Sequence, residues 1–473
     1  MVGRGVVRVV LPALASALLI ASTACSGGGT RVPRPAGTTM VPTGADRPTS
    51  PDAAAGGPTG GVGASTGRSA GVGAVVAGST TSTTSLASSL DAVLFNTDSC
   101  LLVTDMSGRV LFSHNASVPF AAASAQKLIV AAAALDLLGA DYRFTTTVVA
   151  ATAPSGGTVD DLWIVGGGDP LLASPEYAAY LATAPALTGY PITPIEPLVD
   201  QLLAHGVQVV RNGVHGDDGR YDDVRSLPTW PSTLNQGEFD IGPLGALEVD
   251  QGLDHFHPDL PTVDPTGHGA GVLARLLSER GVPATQADDQ RGPSGGVVLG
   301  SVQSAPLSQI VEAMLRASDN QIAELLVREI DHHAGGRGTT ASGLRLVAAD
   351  ASRLGLPVAG VALVDGSGLS RANRVTCAVL LAALDLGDQA RWSAISAGIP
   401  VAGVSGTFYN IFVGTPLAGH LAGKGGYITG VASLVGHVDL TYQRRFAFVV
   451  NGVPTFAVGL DLVAHVAEAV GTT

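Results

Sequence analysis

The chain has 473 residues, 46% of them hydrophobic, and its 39 acidic residues outnumber 26 basic ones, for a net charge of −13. This charge balance argues against a nucleic-acid-binding protein, because phosphate contacts need clustered Lys and Arg. The hydrophobic content excludes a wholly disordered chain, and the length suggests two or three domains. Only two of the basic residues are lysines, Lys127 and Lys424, and we attribute this scarcity to an alanine- and glycine-favouring genome.

The first predicted element is an export signal at residues 1–25. A basic start precedes an apolar run at residues 9–20, and small residues follow up to Cys25, which is typical of a secretory signal peptide. A retained membrane anchor is the alternative. The residues before Cys25 also resemble a bacterial lipobox, although Ser22 stands where such boxes usually have Leu. We expect an exported protein of the cell envelope, outside the cytoplasmic membrane, either secreted or lipid-anchored at Cys25.

A tether and the first folded elements come next. Residues 26–85 are rich in Gly, Ser, Thr and Pro and lack apolar periodicity, which predicts a disordered tether. The elements predicted after it are a helix over 86–95, strands over 100–104 and 110–112, and a buried helix over 124–138 that ends at Gly139.

The rest of the chain divides into a middle segment and a closing part. Residues 141–299 alternate strand-like runs with Gly, Pro and Asp turns, and we predict one or more inserted, β-rich domains there. The elements predicted after the insertion are a strongly helical run over 307–330, strands over 420–422, 430–438 and 446–450, and a closing helix over 460–470. Strands near both ends with helices between them indicate one α/β (α+β) domain made of residues 86–140 and 300–473.

Two cysteines, Cys100 and Cys377, remain after removal of the signal. Export would place them in an oxidising compartment, where a disulfide can persist. Two separate buried thiols are the alternative.

The most informative short motif is Ser124-Ala125-Gln126-Lys127. Residues three apart share one face of a helix, so the Lys127 amine can take the Ser124 hydroxyl proton if burial and a second positive charge lower its pKa. Ser-x-x-Lys alone is a weak signal, but here it uses one of the two lysines of the chain. We therefore predict Ser124 as a nucleophile and Lys127 as its base.

Two further motifs follow in chain order. Ser318-Asp319-Asn320 can present a hydroxyl and a carboxamide to a cleft, and a helix N-cap is the alternative interpretation. Lys424 begins a Lys-Gly-Gly-Tyr run, in which the glycines let a substrate backbone lie against a strand. The lysine would supply a positive charge near the reacting serine, and a solvated lysine at a strand end is the alternative.

In this order the three motifs resemble the set found in serine penicillin-binding proteins and β-lactamases. The chain resembles most closely the penicillin-binding protein 4 type of D-alanyl-D-alanine carboxypeptidase/endopeptidase, the class C low-molecular-mass penicillin-binding proteins of serine peptidase family S13. The long gap between Lys127 and Ser318 matches the inserted domains of that family. Beyond the three motifs, the resemblance covers roughly residues 86–470 and is carried by 104–115, 162–170 (with Gly-Gly-Asp-Pro), 306–324, 365–371 (Asp-Gly-Ser-Gly-Leu-Ser-Arg), 406–407 and 429–431.

The resemblance implies a penicillin-binding-protein/β-lactamase-like transpeptidase domain with a β-rich inserted region. It implies that Ser124 attacks the bond between two D-alanines of a peptidoglycan stem peptide, with Lys127 as general base. Ser318 would relay a proton to the leaving amine while Lys424 tunes the local field. Asn320 would hold the substrate backbone and orient Lys127.

The resemblance also implies how substrate is held. Gly425, Gly426 and Tyr427 would line it, and the backbone N–H groups of Ser124 and Tyr427 would form an oxyanion hole. Arg371 is a candidate contact for a free carboxylate of the stem peptide, and Asp169 either meets a substrate amine or caps a turn. We expect stem peptides as substrates, β-lactams as covalent inhibitors, no cofactor, no metal and no nucleic acid, with membrane association only through the N-terminal signal or a lipid.

The sequence departs from the family pattern near the third motif. Gly425 stands where the family usually has Thr or Ser, whose hydroxyl helps to bind the substrate carboxylate, and losing such a hydrogen bond costs about 1.5–3 kcal/mol. Residues 408–412 lack a basic residue common in the family, and Ala122 replaces a proline. Either the enzyme is weak or prefers another substrate such as an internal cross-link, or the chain is a degenerate penicillin-binding scaffold that binds wall peptides or partners. A β-lactamase is disfavoured, because the insertion is long and no deacylating carboxylate can be named.

Overall fold

The structure is a computed structural model that describes residues 80–94, 97–235, 239–256 and 259–473. The predicted signal, Cys25 and the tether up to residue 79 lie outside the described residues. Within the described part of the chain, no helix is both long and apolar enough to cross a membrane.

Helices and strands are distributed over the whole described chain. The helices are α1 (Thr80–Leu94), α2 (Lys127–Leu137), α3 (Pro175–Leu181), α4 (Glu196–Ala204), α5 (Pro265–Glu279), α6 (Leu307–Ala317), α7 (Asn320–His333), α8 (Thr340–Arg353), α9 (Cys377–Asp385), α10 (Ser393–Gly398) and α11 (Phe456–Thr472). The strands are β1 (Asp98–Asp105), β2 (Val110–His114), β3 (Thr145–Ala150), β4 (Thr158–Val165), β5 (Leu172–Ala173), β6 (Thr193–Pro194), β7 (Val209–Asp217), β8 (Leu253–Phe256), β9 (Asp259–Pro261), β10 (Val297–Gln303), β11 (Leu421–Ile428), β12 (Val431–Asp439) and β13 (Gln443–Asn451).

The main sheet joins the two ends of the folded chain. Its strand order is β11-β12-β13-β1-β2, and all neighbours are antiparallel. Alternation along β13 divides the core, because successive side chains of a strand point to opposite faces. Phe446 and Phe448 pack with α1 and α11, whereas Ala447 and Val449 pack with the buried helix α2 and its neighbours. The sheet therefore lies between two helical layers, and β11 forms one edge of it.

A second sheet is formed by strands of the predicted insertion, although its strand β10 (Val297–Gln303) extends beyond the predicted boundary at residue 299. Its order is β10-β3-β4-β7, and β4 pairs with β7 in parallel. Its core includes residues of α4 and α5, such as Leu198 and Leu273, so the segment contains helices as well as the predicted strands. The strands predicted around 145–149, 162–165 and 207–210 are present as β3, β4 and β7. The boundaries of the domain division, 141 and 299, stay a prediction.

Two predicted helices differ from the observed ones. Helix α1 begins at Thr80 rather than at residue 86, so the predicted tether does not reach residue 85. A buried stripe of Leu86, Leu90 and Leu94 anchors the helix. Once a helix is anchored, each added residue forms one more hydrogen bond, so the helix can extend through residues with low helix propensity. The helical run predicted over 307–330 consists of two helices, because Ser318 adopts a left-handed conformation (φ 58°) between α6 and α7.

Cys100 and Cys377 form a disulfide in the structure. The bond joins β1 of the main sheet to the first residue of α9, and both side chains are completely buried. The alternative of two separate thiols is therefore not what the structure contains. The bond ties a helix of the α2 layer to the sheet across 277 residues of sequence.

Candidate functional site

Ser124 lies in a tight turn that leads into α2. Residues Ala123–Gln126 form a 3-10 helix rather than the first turn of an α-helix, and Ala123 has a positive φ of 48°. The approach to this turn is fixed from the main sheet. Ser433 Oγ donates to the Ala122 carbonyl at 2.7 Å, and Asn451 Nδ2 donates to the Ala121 carbonyl at 2.8 Å. The sheet thus holds the serine in place.

Lys127, the first residue of α2, is completely buried and lies at the centre of the site. Its Nζ lies 2.8 Å from Ser124 Oγ. It also donates to Asn320 Oδ1 at 2.7 Å and to the backbone carbonyl of Ser367 at 2.6 Å. In the neutral amine, two N–H bonds serve Asn320 and Ser367, so the lone pair is left facing the Ser124 hydroxyl.

The second motif occupies the break between α6 and α7. Ser318 takes the left-handed conformation, and Asp319 Oδ1 accepts the N–H of Ile322 at 2.9 Å as the N-cap of α7. Asn320 is the first residue of α7 and reaches Lys127. The capping interpretation is therefore correct for Asp319, whereas the catalytic roles of Ser318 and Asn320 stay a prediction.

Lys424 brings the third motif to the second. It lies on β11, is completely buried, and its Nζ donates to Ser318 Oγ at 2.8 Å and to the Gly425 carbonyl at 2.7 Å. Gly426 faces the nucleophile, because a Cβ at this position would lie 2.8 Å from the backbone nitrogen of Ser124. Hydrogen bonds thus join the five residues predicted as catalytic into two groups, Ser124–Lys127–Asn320 and Ser318–Lys424. The backbone connects the two groups, because Ser318 and Asn320 belong to the same motif.

Both lysines are buried in a site that disfavours their charged forms. Burial lowers the pKa of Lys127 to about 7, against the opposing effect of Asp319, Asp365 and Glu324. Burial and the neighbouring Lys127 lower the pKa of Lys424 well below its usual value. A neutral lysine next to a hydroxyl is a general base matched to neutral pH.

The Asp365–Arg371 segment supplies the carbonyl that holds Lys127. The Asp365 carboxylate accepts the backbone N–H groups of Gly368 at 2.8 Å and Ser370 at 2.6 Å. Glu324 Oε1 accepts the N–H of Ser367 at 2.8 Å, and burial together with Asp365 raises the pKa of Glu324 to about 7. These buried carboxylates hold the loop in place and thereby fix the position of the Ser367 carbonyl.

Three of the predicted substrate-binding residues lie outside this hydrogen-bonded cluster. Arg371 is exposed, and its guanidinium lies at the turn between β11 and β12, where a Cβ on Gly430 would be 3.1 Å from Nη2. The Tyr427 ring packs edge-on against Phe456, with centroids 4.9 Å apart. Asp169 is buried and its Oδ1 accepts the N–H of Leu171 at 2.9 Å, which is the turn contact, and burial raises its pKa to about 6.

Gly425 faces the aromatic ring of Phe408, a contact that the sequence does not predict. A Cβ on Gly425 would lie 3.0 Å from Cε1 of Phe408. The Phe408 side chain is buried and packs edge-on against Phe412, with centroids 5.4 Å apart. The space beside Gly425 is therefore already filled.

Comparison with protein families finds a match over most of the described chain. The profile described as "D-Ala-D-Ala carboxypeptidase 3 (S13) family" matches residues 86–257 and 259–462. A D-alanyl-D-alanine carboxypeptidase of Actinomadura sp. (strain R39) is 30% identical over 456 residues, covering 78% of this chain and 81% of that protein. Carboxypeptidase DacB of Mycolicibacterium smegmatis is 31% identical over 407 residues, covering 82% of this chain and 84% of that protein.

Solved structures confirm the predicted fold class. The crystal structure of penicillin binding protein 4 (dacB) from Haemophilus influenzae superposes with a TM-score of 0.65 at 19% identity, covering 80% of this chain and 98% of that one. A complex of the same protein with a β-lactam gives a TM-score of 0.59 at 20% identity, covering 81% and 98%. At these identities the likeness concerns the fold.

Proposed function

This chain belongs to the D-Ala-D-Ala carboxypeptidase 3 (S13) family, as its motifs predict, and we propose that it is a serine-type D-Ala-D-Ala carboxypeptidase that forms an acyl-enzyme on Ser124. The observation that carries the proposal is the 2.8 Å approach of Ser124 Oγ to a buried Lys127 Nζ. Because burial lowers the pKa of Lys127 to about 7, a large fraction of this lysine is available as a base near neutral pH.

In the first step a bond forms between Ser124 Oγ and the carbonyl carbon between the two D-alanines. The hydroxyl proton passes to Lys127 Nζ, which Asn320 Oδ1 and the Ser367 carbonyl hold in place. The carbonyl oxygen becomes negative and is stabilised by the backbone N–H groups of Ser124 and Tyr427. The close packing of Gly426 against the Ser124 backbone supports this pairing of the two segments.

In the second step the carbon–nitrogen bond breaks and the leaving amine takes a proton. Ser318 Oγ donates that proton and in return takes up the one that Lys127 Nζ accepted in the first step, so Ser318 ends the step as a hydroxyl. Lys424 Nζ, which donates to the same oxygen at 2.8 Å, stabilises the negative charge that develops on Ser318 during the transfer. Burial disfavours the ammonium form of Lys424, so an anionic group of the bound substrate would be needed to stabilise this charged form. In the last step water gives a proton to the neutral Lys127 Nζ and attacks the acyl carbon. The bond from this carbon to Ser124 Oγ breaks, Lys127 returns the proton to Oγ, and the shortened peptide leaves with a free carboxylate.

Substrate recognition follows from the residues around this cluster. The exposed Arg371 would contact a free carboxylate of the stem peptide, and the free edge of β11 at Gly425–Tyr427 would hold its backbone. The buried Asp169 side chain would have to become partly exposed before it could contact a substrate amine. Both a terminal D-alanine and an internal cross-link fit this description of the reaction, so we include endopeptidase cleavage in the proposal.

We place the reaction outside the cytoplasmic membrane. The basic and apolar pattern of residues 1–25 indicates export, and the disulfide between Cys100 and Cys377 fits an oxidising compartment. Peptidoglycan stem peptides would be the substrates, and β-lactams the covalent inhibitors.

The proposal is tested with a fluorescent penicillin. We expect covalent labelling of the full chain, and peptide mass spectrometry should place the adduct on Ser124. A pentapeptide that ends in D-Ala-D-Ala should lose one D-alanine. A chain that remains unlabelled at millimolar penicillin would instead support the scaffold that binds wall peptides, and rapid turnover of a chromogenic cephalosporin would support a β-lactamase.

The rate of acylation should depend on pH through Lys127. Since only the neutral amine can accept the serine proton, and since burial lowers its pKa to about 7, the acylation rate constant should fall about tenfold per pH unit below that value. Above it, the rate should level off. Stopped-flow acylation by penicillin between pH 5 and 9 measures this profile, and a rate that is constant from pH 5 to 7 would exclude Lys127 as the base.

Restoring the family's hydroxyl at position 425 should require a change at Phe408. Gly425→Thr alone should not increase pentapeptide cleavage, because its Cβ would be 3.0 Å from the buried Phe408 ring. Phe408→Leu makes room, so Gly425→Thr in that background should raise cleavage about tenfold through a hydrogen bond to the substrate carboxylate. The rate of D-alanine release is measured for the wild type, the two single variants and the double variant. A tenfold gain from Gly425→Thr alone would contradict the prediction.

A further inference from the structure

The inserted segment makes direct contact with the second motif through Asp319. This side chain is buried, and its Oδ2 accepts hydrogen bonds from Tyr190 Oη at 2.6 Å and from Gln251 Nε2 at 2.5 Å. Gln251 Nε2 also lies 3.2 Å from Tyr190 Oη. Two donors that are distant in sequence therefore converge on one carboxylate oxygen.

Asp319 connects these donors to both catalytic groups of the motif. Its other oxygen caps α7 through the N–H of Ile322, so the carboxylate is fixed at both ends. The residue before it, Ser318, reaches Lys424 from a left-handed conformation with φ 58°. The residue after it, Asn320, reaches Lys127. A rotation of Asp319 would therefore move both hydrogen bonds of the catalytic cluster.

Gln251 is held in an unusual conformation that aims its amide at Asp319. Asp250 and Gln251 both have positive φ, 59° and 55°, and Gly252 follows with 71°. Consecutive left-handed residues other than glycine persist only where the surroundings determine them, and they concentrate at functional sites. Here Asp250 Oδ1 accepts the N–H of Ser174 at 2.7 Å, and Tyr177 Oη donates to Gln251 Oε1 at 3.1 Å.

We propose that Gln251 and Tyr190 are positioning residues of the active site: by donating to Asp319, they fix the left-handed turn that places Ser318 against Lys424 and Asn320 against Lys127. The inserted segment thus completes the catalytic cluster without touching the reacting atoms. This inference rests on the proposed function, because its readout is acylation of Ser124.

The sharpest test is Gln251→Glu. The introduced carboxylate would face the Asp319 carboxylate at high pH, and we expect acylation by penicillin at pH 8 to be slower than in the wild type by about 10- to 100-fold, because small displacements of catalytic groups have effects of this size. At lower pH the introduced carboxyl protonates and can donate to Asp319, so the deficit relative to the wild type should shrink. The titratable groups that face the Gln251 side chain are Asp319, Tyr190 and Tyr177, with Asp250 adjacent in the chain.

Three further variants make the comparison decisive. Gln251→Met removes the donor without adding charge, and it should slow acylation at every pH with no recovery at low pH. Tyr190→Phe keeps the ring and should slow acylation in the same way, which preserves the test if a new buried charge prevents folding. Gln303→Glu, at an exposed position of β10, is the matched control and should acylate like the wild type.

The outcomes separate this inference from the proposed function. If the wild type is labelled and the folded variants Gln251→Glu, Gln251→Met and Tyr190→Phe acylate within twofold of it at every pH, the inference is wrong and the proposed function stands. If the wild type itself is never labelled, the proposed function fails. A reduced acylation rate with an unchanged dissociation constant for the noncovalent penicillin complex is the expected result, because a general loss of structure would weaken both.

Discussion

Replacing Lys127 by methionine is expected to lower the rate constant for acylation by penicillin by at least about 10³-fold. Methionine matches the unbranched lysine stem but has no group that accepts the Ser124 proton. The serine then has to react as a neutral hydroxyl, since no other amine is hydrogen-bonded to its Oγ among the described residues. Active-site titration with radiolabelled penicillin measures the loss.

The same variant should remain folded, and its stability provides the control. Burial lowers the pKa of Lys127 from 10.5 to about 7, so between these values the unfolded chain binds a proton that the folded chain lacks. Stability of the wild type therefore falls as pH is lowered through this range, and Lys127→Met removes that contribution. The melting temperature of the variant should rise relative to the wild type from pH 10 to pH 7. Acylation within tenfold of the wild-type rate would show that another group is the base.

The second large effect is expected for Lys424→Met, which should slow acylation about 100-fold. The substitution removes the donor to Ser318 Oγ, so the hydroxyl loses the group that supports proton transfer to the leaving amine. It also leaves the Gly425 carbonyl without the bond at 2.7 Å from Lys424 Nζ. Rapid-quench acylation by penicillin and D-alanine release from a pentapeptide together measure the step affected.

A control for lost positive charge separates a local role from a general one. Arg211→Met removes a surface cation of β7 that is paired with Asp160 at 2.8 Å, and it should leave both rates unchanged. If Arg211→Met and Lys424→Met reduce acylation equally, the effect is one of overall charge and the proposed role of Lys424 is wrong. A larger loss for pentapeptide cleavage than for acylation would locate Lys424 at the leaving-group step.

The sequence predicts which residues come together in the hydrogen-bonded cluster, because the signals for them are local or carried by a rare residue type. Ser124 and Lys127 are three residues apart, a spacing that defines their contact almost without tertiary structure. Lys424 stands out because the chain has so few lysines, and the motif order relates it to Ser318. The strands of the main sheet were likewise visible as apolar runs ended by turns.

What the sequence could not predict depends on distant packing or on backbone atoms. The third hydrogen-bond partner of Lys127 is the backbone carbonyl of Ser367. Every residue has such a carbonyl, so the residue type does not indicate which one contacts the lysine. The Phe408 ring faces Gly425 only after folding. The left-handed conformation of Ser318 was not predicted, because a left-handed residue other than glycine interrupts a helical run without changing its apolar periodicity. Only the N-cap alternative for residues 318–320 indicated a new helix start there.

The strand order of the main sheet has a consequence for how the protein is made. Strand β1 pairs with β13 on one side and β2 on the other, so its β13 side has no partner until residue 451 has been synthesised. Such late, long-range pairing makes folding slow and exposes an unpaired strand in the nascent chain. The nucleophile Ser124 likewise meets Lys424 only after β11 has been synthesised. A fragment that ends before β11 should therefore be catalytically silent, because it lacks Lys424 and the strands that complete the sheet.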